Sequence, residues 1–387
     1  MSKIYEFNSS FSYYFLKIFT LQNTNHHISI ILPTLNEVEN VCSIIKKIIN
    51  LSGNYLIEII VVDDASTDGT TSLVKKLSKE DNRIRLINRY GRNGLSSAIK
   101  EGTLSASGDV IAIMDTDGQH QVESLYEAID ELLISNKDLI VGSRFLNKSI
   151  IRGLSDNRIK GSSVANKLAK YSLSKEYLKL TDIMSGFMVF KSKSVLKLVE
   201  RIDVNGFKFL YELLSVSNGA LNCKEIPLNF MPRKFGESKL DFAIVWDFWI
   251  SLIHSLSKRV IPRKAISFAC VGITGVLVQL VISYSFMWFL GFSFQNVLPI
   301  AVVIAATSNY LVNNWLTFRV NRLRNKALLI GLLKFLMVSS LPIIANVGLA
   351  SSFYKLVSPN TLFSQLAGII VVFIWNYAAS SKLVWKT

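Results

Sequence analysis

VIAIMDTDGQH, residues 110–120, is the stretch on which the fold turns. Five apolar residues, Val110 to Met114, run without alternation into Asp115, Asp117 and Gln119. A strand covered on both faces needs such an unbroken run, whereas a half-exposed strand would alternate. Working outward, the same signature recurs in ISIILP at 28–33, IEIIVVDD at 57–64 and LIVGSR at 139–144. Helical stretches fall between, one from about Val38 to Asn50 and another running to about Leu77. This rhythm predicts an α/β domain, a Rossmann-like, mostly parallel sheet with helices on both faces. The acids close their strands at the carboxyl ends, the edge where an open α/β sheet forms its crevice.

Of 387 residues half are apolar, and the charge is unevenly spread. The net charge is +15, yet no Asp or Glu follows Asp247, while twelve Lys and Arg do, from Lys258 to Lys386. No basic stripe or RNA-binding motif accompanies these cations, so nucleic acid is not an expected partner. They flank apolar runs instead. No charged residue occurs from Ala265 to Phe318, long enough for two spans, and two further apolar runs cover about 328–357 and 362–384. Four transmembrane helices are expected. Lys258, Arg259, Arg263 and Lys264 precede the first, Arg319, Arg322, Arg324 and Lys326 follow the second, and Lys382 and Lys386 follow the fourth. That bias predicts an integral, multi-pass membrane protein with both termini and the soluble domain cytoplasmic. The segments SNYLVNNWLTFR (308–319) and WNYAASSKLVWK (375–386) align at an offset of 67, matching Asn309 with Asn376 and Tyr310 with Tyr377, and the same offset matches Phe268 with Phe335. The helices thus read as a duplicated pair.

Four segments follow: an N-terminal extension, 1–27, read as an amphipathic surface helix or a disordered lead without a signal peptide; a catalytic domain, 28–240; juxtamembrane interface helices, 241–264; and the four-helix domain, 265–387. Three irregularly spaced cysteines, Cys42, Cys223 and Cys270, indicate neither a disulfide framework nor a zinc site.

Alternate residues of an extended segment point the same way, so Asp115, Asp117 and Gln119 can converge on one hard cation, Mg²⁺ or Mn²⁺. A DxD triplet alone is a weak signal. At the end of a buried strand it becomes a candidate for binding the diphosphate of a nucleotide sugar. Glu37 begins a helix after Pro33, and Asp63 and Asp64 end a strand where one carboxylate can accept from a base edge. Arg144, at a strand end, and Arg158, on the following helix with Ser162 one turn on, can fork a phosphate. Asp182 can orient an acceptor or merely cap a turn, and His120 reads as structural.

PTLNEVEN (33–40), VVDDASTDGT (61–70), RNGLSSA (92–98), MDTDGQH (114–120), GSR (142–144), MSGF (184–187) and PRKFGESKL (232–240) stand in one order over about residues 28–245. In this the chain resembles the polyprenol-phosphate sugar synthases of glycosyltransferase family 2, typified by dolichol-phosphate mannose synthase, and its helices resemble a GtrA-like membrane domain. The resemblance implies a GT-A-type fold and a metal-dependent enzyme. It further implies that Pro33, Leu35, Glu37, Val62 and Asp64 line the nucleotide pocket and that Thr116 approaches the donor. Asp115, Asp117 and Gln119 would hold the metal, Lys208 and Arg233 would contact the donor phosphates, the 232–240 loop would act as a flap, and Arg144, Arg158 and Ser162 would bind the lipid phosphate. The chain departs from many relatives in reading DTD for DAD and QHQVE where a proline pair is usual.

The expected reaction is inverting transfer of a hexose, mannose from GDP-mannose before glucose from UDP-glucose, to a dolichyl or undecaprenyl phosphate. A phosphate oxygen is already ionised, so the acceptor needs positioning more than a base, and Asp182 is the ready candidate if one is needed. Three rivals stand beside this reading: a processive polysaccharide synthase, whose QxxRW is absent; a lipid-linked sugar flippase with a regulatory soluble domain; and a nicotinamide-binding protein, whose GxGxxG is absent. The oligomeric state is not legible.

Overall fold

The computed structural model describes residues 26–90, 94–146, 149, 156–204, 208–232, 242–291, 294–356 and 361–386. It has two compact units, Met1–Leu256 and Ser257–Thr387.

In the first unit β1 (His27–Thr34), β2 (Leu56–Asp63), β3 (Ile84–Asn88), β4 (Val110–Ile113), β5 (Leu139–Ser143), β6 (Met188–Lys191) and β7 (Cys223–Pro227) form one sheet in the order β3-β2-β1-β4-β6-β5-β7. Only β6 is antiparallel to its neighbours. The expected α/β architecture is therefore present, with three strands that the apolar runs do not betray. β3 lies at an edge and mixes Arg85 and Asn88 with its apolar residues; β6 and β7 have only four and five residues, and β7 contains Lys224 and Glu225.

Why both faces are buried is visible in the parity of the strands. Ile28, Ile30 and Leu32 of β1 join Ile57, Ile59 and Val61 of β2 in one apolar cluster, packed with α1 (Val38–Leu51), α2 (Thr70–Glu80) and α4 (Val122–Ile134). Ile31, Ile60, Val62, Ile111 and Ile113 face the other cluster, with α3 (Leu95–Leu104), α6 (Ser192–Glu200) and α7 (Phe209–Ser217). Each fully buried Ile or Leu contributes about 1.5–3 kcal/mol, so these strands cannot slip by one residue without exposing a whole set. The helix α5 (Asp156–Lys170) follows β5.

The helix α8 (Phe242–Leu256) belongs to this unit. Phe248 enters the second cluster, Ser255 Oγ donates to the Ser172 carbonyl (3.0 Å), and Ser251 offers its carbonyl to Tyr211 (3.5 Å). Its opposite stripe, Phe242, Val245, Trp249 and Ile253, is exposed.

The second unit contains α9 (Arg263–Leu290), α10 (Phe294–Trp315), α11 (Asn325–Leu356) and α12 (Thr361–Leu383). Among the described residues, α9 alone is long and apolar enough to cross a bilayer. Its core is aromatic and follows the 67-residue offset seen in the sequence. Phe268 meets Tyr377 at 5.7 Å, and their counterparts Phe335 and Tyr310 meet at 5.6 Å. Likewise Phe268 lies 6.4 Å from Phe318, and Phe335 lies 5.9 Å from Trp385. Each helix pair thus donates a ring to the other. Gly275 lies against Asn309 so closely that a Cβ would come within 2.2 Å of its amide.

Within the sheet, Glu58 is a buried acid on β2 that accepts from Ser29 Oγ (2.5 Å), Ser107 N (2.6 Å) and Oγ (2.7 Å), and Arg85 Nη1 (2.8 Å). Burial alone would raise its pKa, but these donors outweigh burial and hold it at about 2. A carboxylate depressed in the folded state adds stability above its unfolded pKa, and that stability drains as pH falls through the folded value. Acid unfolding of the soluble unit is therefore expected to steepen between about pH 4.5 and 2. Glu58→Gln should flatten that limb in a chemical-denaturation series read by far-UV circular dichroism.

Candidate active site

The loops that leave the carboxyl ends of β1 and β2 are sewn to each other. Asp63, fully buried, accepts from Thr34 Oγ1 (2.9 Å), Ser66 Oγ (2.6 Å) and Thr71 Oγ1 (2.6 Å). Asp68 accepts from Val38 N (3.0 Å) and Thr70 Oγ1 accepts from Glu37 N (2.9 Å), so the start of α1 is capped by the neighbouring loop. Asn36, held at φ 56°, completes the seam by accepting from Thr67 N at 2.9 Å. Asp63 is thereby a knot in the scaffold. Asp64 is distinct from it: Arg89 Nη1 donates to one of its oxygens (2.8 Å) and Gly94 N to the other (2.8 Å). Arg89 is buried, and it also reaches Ser97 Oγ (2.5 Å) and Glu101 (3.0 Å), tying Asp64 to α3. Pro33 and Val62 are direct neighbours in the β1–β2 ladder, and Leu35 and Glu37 follow on the loop.

β4 ends one strand away. Thr116 Oγ1 donates to the Pro33 carbonyl (2.9 Å), which locks the acidic loop onto β1 and turns that hydroxyl inward. Asp117 accepts from Gln119 N (3.0 Å). Asp115 accepts no hydrogen bond among the described residues, and Gly186 stands behind it: a Cβ there would lie 2.5 Å from Asp115 Oδ2. Burial and the nearby Asp117 push the Asp115 carboxyl above the usual range, although His120, Lys208 and Arg144 oppose the rise. Burial likewise depresses Lys208, which carries charge towards the same two acids. Two adjacent carboxylates, one lacking any donor, form a donor set that a hard divalent cation fits. Among the described residues no group of three or more His, Cys, Asp or Glu converges, so phosphate or water oxygens would complete the shell. Gln119 donates its side-chain nitrogen Nε2 to the Met231 carbonyl (3.2 Å), and its backbone carbonyl accepts from Met231 N (2.9 Å). His120 is buried edge-on between Phe187 and Phe230, each 5.6 Å away, as suits a packing residue, although its Nδ1 has no partner among the described residues.

Beyond β5 lies an arginine held by a carboxylate. Arg144 Nε and Nη2 donate to the two oxygens of Asp182 at 2.7 and 2.9 Å, a fork-to-fork pair, and Nη2 also reaches Ser162 Oγ at 3.3 Å. Asp182 is wholly enclosed, whereas the Arg144 side chain keeps 14% exposure. Glu225 of β7 fixes Asp182 in turn, accepting from Thr181 N (2.8 Å) and Asp182 N (2.8 Å). Phe145 and Phe230 lie 5.5 and 5.6 Å from the guanidinium.

Of the residues singled out from sequence, Pro33, Val62, Asp64, Asp115, Thr116, Asp117, Gln119 and Arg144 with Asp182 stand on the carboxyl edge of the sheet or the loops beside it, and Ser162 meets Arg144 from α5. Arg233 and the Arg158 side chain lie outside the described residues. Sequence reasoning missed Arg89 and Glu225, because an Arg in a loop and a Glu in a short strand carry no local pattern. Gly186 was visible only as part of MSGF.

Two family models match the chain: glycosyl transferase family 2 over residues 29–199, and the GtrA/DPMS transmembrane domain over residues 267–385. A dolichol-phosphate mannosyltransferase from Pyrococcus furiosus is 28% identical over 93% of this chain and 99% of its own length. A polyprenol monophosphomannose synthase from Mycolicibacterium smegmatis is 29% identical over 54% of this chain and 80% of its own. A mannosyl-3-phosphoglycerate synthase from Rubrobacter xylanophilus, of known structure, overlaps with a TM-score of 0.45 at 16% identity, covering 63% of this chain and 77% of that one. The acid-tipped strands lie within the segment that matches a known family: the chain has a glycosyl transferase family 2 domain over residues 29–199, followed by a GtrA/DPMS transmembrane domain over residues 267–385.

Proposed function

We propose that the chain transfers mannose from GDP-mannose to a polyprenyl phosphate, with inversion at the anomeric carbon, at the cytoplasmic face of a membrane crossed by α9 to α12. The observation that carries this reading is the presence, on one sheet edge, of an acidic couple, Asp115 and Asp117, and an arginine, Arg144, that is forked by Asp182 and stays partly exposed. The couple suits a cation-bound diphosphate and the arginine suits a phosphate monoester. The two relatives named above, one matching along nearly the whole chain, support a polyprenyl phosphate acceptor and mannose as the sugar.

In this mechanism Pro33, Leu35, Glu37, Val62 and Asp64 receive the nucleotide, with Asp64 aimed by Arg89. Asp115 and Asp117, with Gln119, would hold Mg²⁺ or Mn²⁺, which when bound supplies charge to a departing diphosphate. Lys208 and Arg233 add positive charge towards the donor phosphates, and Thr116 fixes the height of the acidic loop. Arg144, Arg158 and Ser162 hold the acceptor phosphate so that an already ionised oxygen faces the sugar. Asp182 has both oxygens engaged by Arg144, which favours a positioning role over that of a base. The exposed stripe of α8 and the cations of the second unit favour a membrane-surface setting for both units.

Membranes containing the protein, given radiolabelled GDP-mannose, UDP-glucose or another nucleotide sugar with polyprenyl phosphate and Mn²⁺, are expected to yield lipid-extractable label from GDP-mannose. No such label with any donor would end the transferase reading, and label from UDP-glucose alone would end the mannose assignment. Asp117→Ala should reduce turnover at least a hundredfold. Gly186→Ala pushes directly on Asp115 and should lower the affinity for Mn²⁺ and kcat together, with little change in the KM for polyprenyl phosphate. Glu225→Gln loosens the segment that aims Arg144, so the KM for polyprenyl phosphate should rise several-fold while that for the nucleotide sugar holds.

A further inference from the structure

Where α10 passes into α11 the second unit has a cavity of about 420 Å³, lined by none of the residues assigned above to the transfer reaction. Its walls are of two kinds. Leu311, Leu323 and Leu328 give an apolar side, and Arg322 and Arg324, both exposed, supply charge at the same opening. No Asp or Glu side chain exists from residue 248 to 387, so nothing in this unit's side chains can neutralise the two guanidinium groups. An arginine left without a carboxylate beside an apolar wall matches an amphiphile that carries its own anion.

The cavity is also built rigidly. Asn314 grips the backbone of Leu323 from both sides, its Nδ2 donating to the carbonyl at 3.1 Å and its Oδ1 accepting from the amide at 2.8 Å. Trp385 Nε1 donates to the same Oδ1 at 3.0 Å. Tyr310 donates to the Leu328 carbonyl at 2.7 Å across a gap that only Gly331 permits, since a Cβ there would fall within 2.4 Å of the Tyr310 hydroxyl. The turn bearing both arginines is therefore fixed before any ligand arrives, which reduces the ordering cost of binding.

We infer that this cavity binds a lipid with an anionic phosphate headgroup, the phosphate on Arg322 and Arg324 and the first part of the acyl chain along Leu311 and Leu328. A plain positive-inside flank would attract any anion by charge number alone. A built site would distinguish these two arginines from other cations of the unit, and a lipid from a bare phosphate.

The full-length protein in a non-ionic detergent can be titrated with phosphatidate, with phosphatidylcholine and with inorganic phosphate while its thermal unfolding midpoint is followed. Phosphatidate is expected to raise the midpoint, and phosphatidylcholine and inorganic phosphate to leave it unchanged. In the double variant Arg322→Ala, Arg324→Ala the same rise should need at least tenfold more phosphatidate, whereas Lys382→Ala, an exposed cation outside the cavity, should behave as the parent. Arg322→Lys with Arg324→Lys keeps the charge but not the fork and should fall between. The inference is overturned if the double alanine variant keeps the full response, if Lys382→Ala loses as much, or if inorganic phosphate produces the shift alone. Absence of any response to phosphatidate overturns it equally.

Discussion

An acid at the tip of a buried strand is costly unless something positive comes to it, and Asp115 is such an acid. Its strand is apolar to the last residue, its carboxylate receives no hydrogen bond among the described residues, and a second acid stands two residues on. Everything around it limits how that charge can be met. Gly186 removes bulk from behind it, Thr116 ties its loop to β1, and Lys208 and Arg144 set a positive background without pairing to it. In the proposed function such a place would take a cation and the anion that accompanies it.

The same economy governs the other charged groups of the edge. Asp63 and Asp64 are adjacent in sequence yet divide the work, one closing a loop with three hydroxyls and the other presented on a buried arginine. Arg144 is oriented by Asp182, which is oriented by Glu225 through two backbone amides. Arg144 is thus two hydrogen-bonded steps from β7. Precision at the edge is inherited from the sheet.

How much of this was legible in the sequence follows from range. Runs such as IEIIVVDD announce a buried strand and its polar tip because both properties are local, and the offset of 67 was readable because repetition needs only the chain itself. β3, β6 and β7 were not legible: short or edge strands with mixed residues resemble loops until a partner strand is known. The pairings of Arg89 with Asp64, Arg144 with Asp182, and Glu225 with Thr181 span 25, 38 and 44 residues, and no spacing rule connects them. Sequence could nominate Asp182 as a base because it saw an acid beside a motif; only the fold reveals that both its oxygens are taken.

The exchange of rings between the two helix pairs has a consequence for how the membrane unit is made. Phe268, early in α9, rests on Tyr377 and Phe373 near the end of α12, while Tyr310 rests on Phe335 and Trp385. Each half also holds a ring contact of its own, Phe268 with Phe318 and Phe335 with Trp385, but the aromatic core is complete only when both halves are present, so the two are expected to form as one cooperative body.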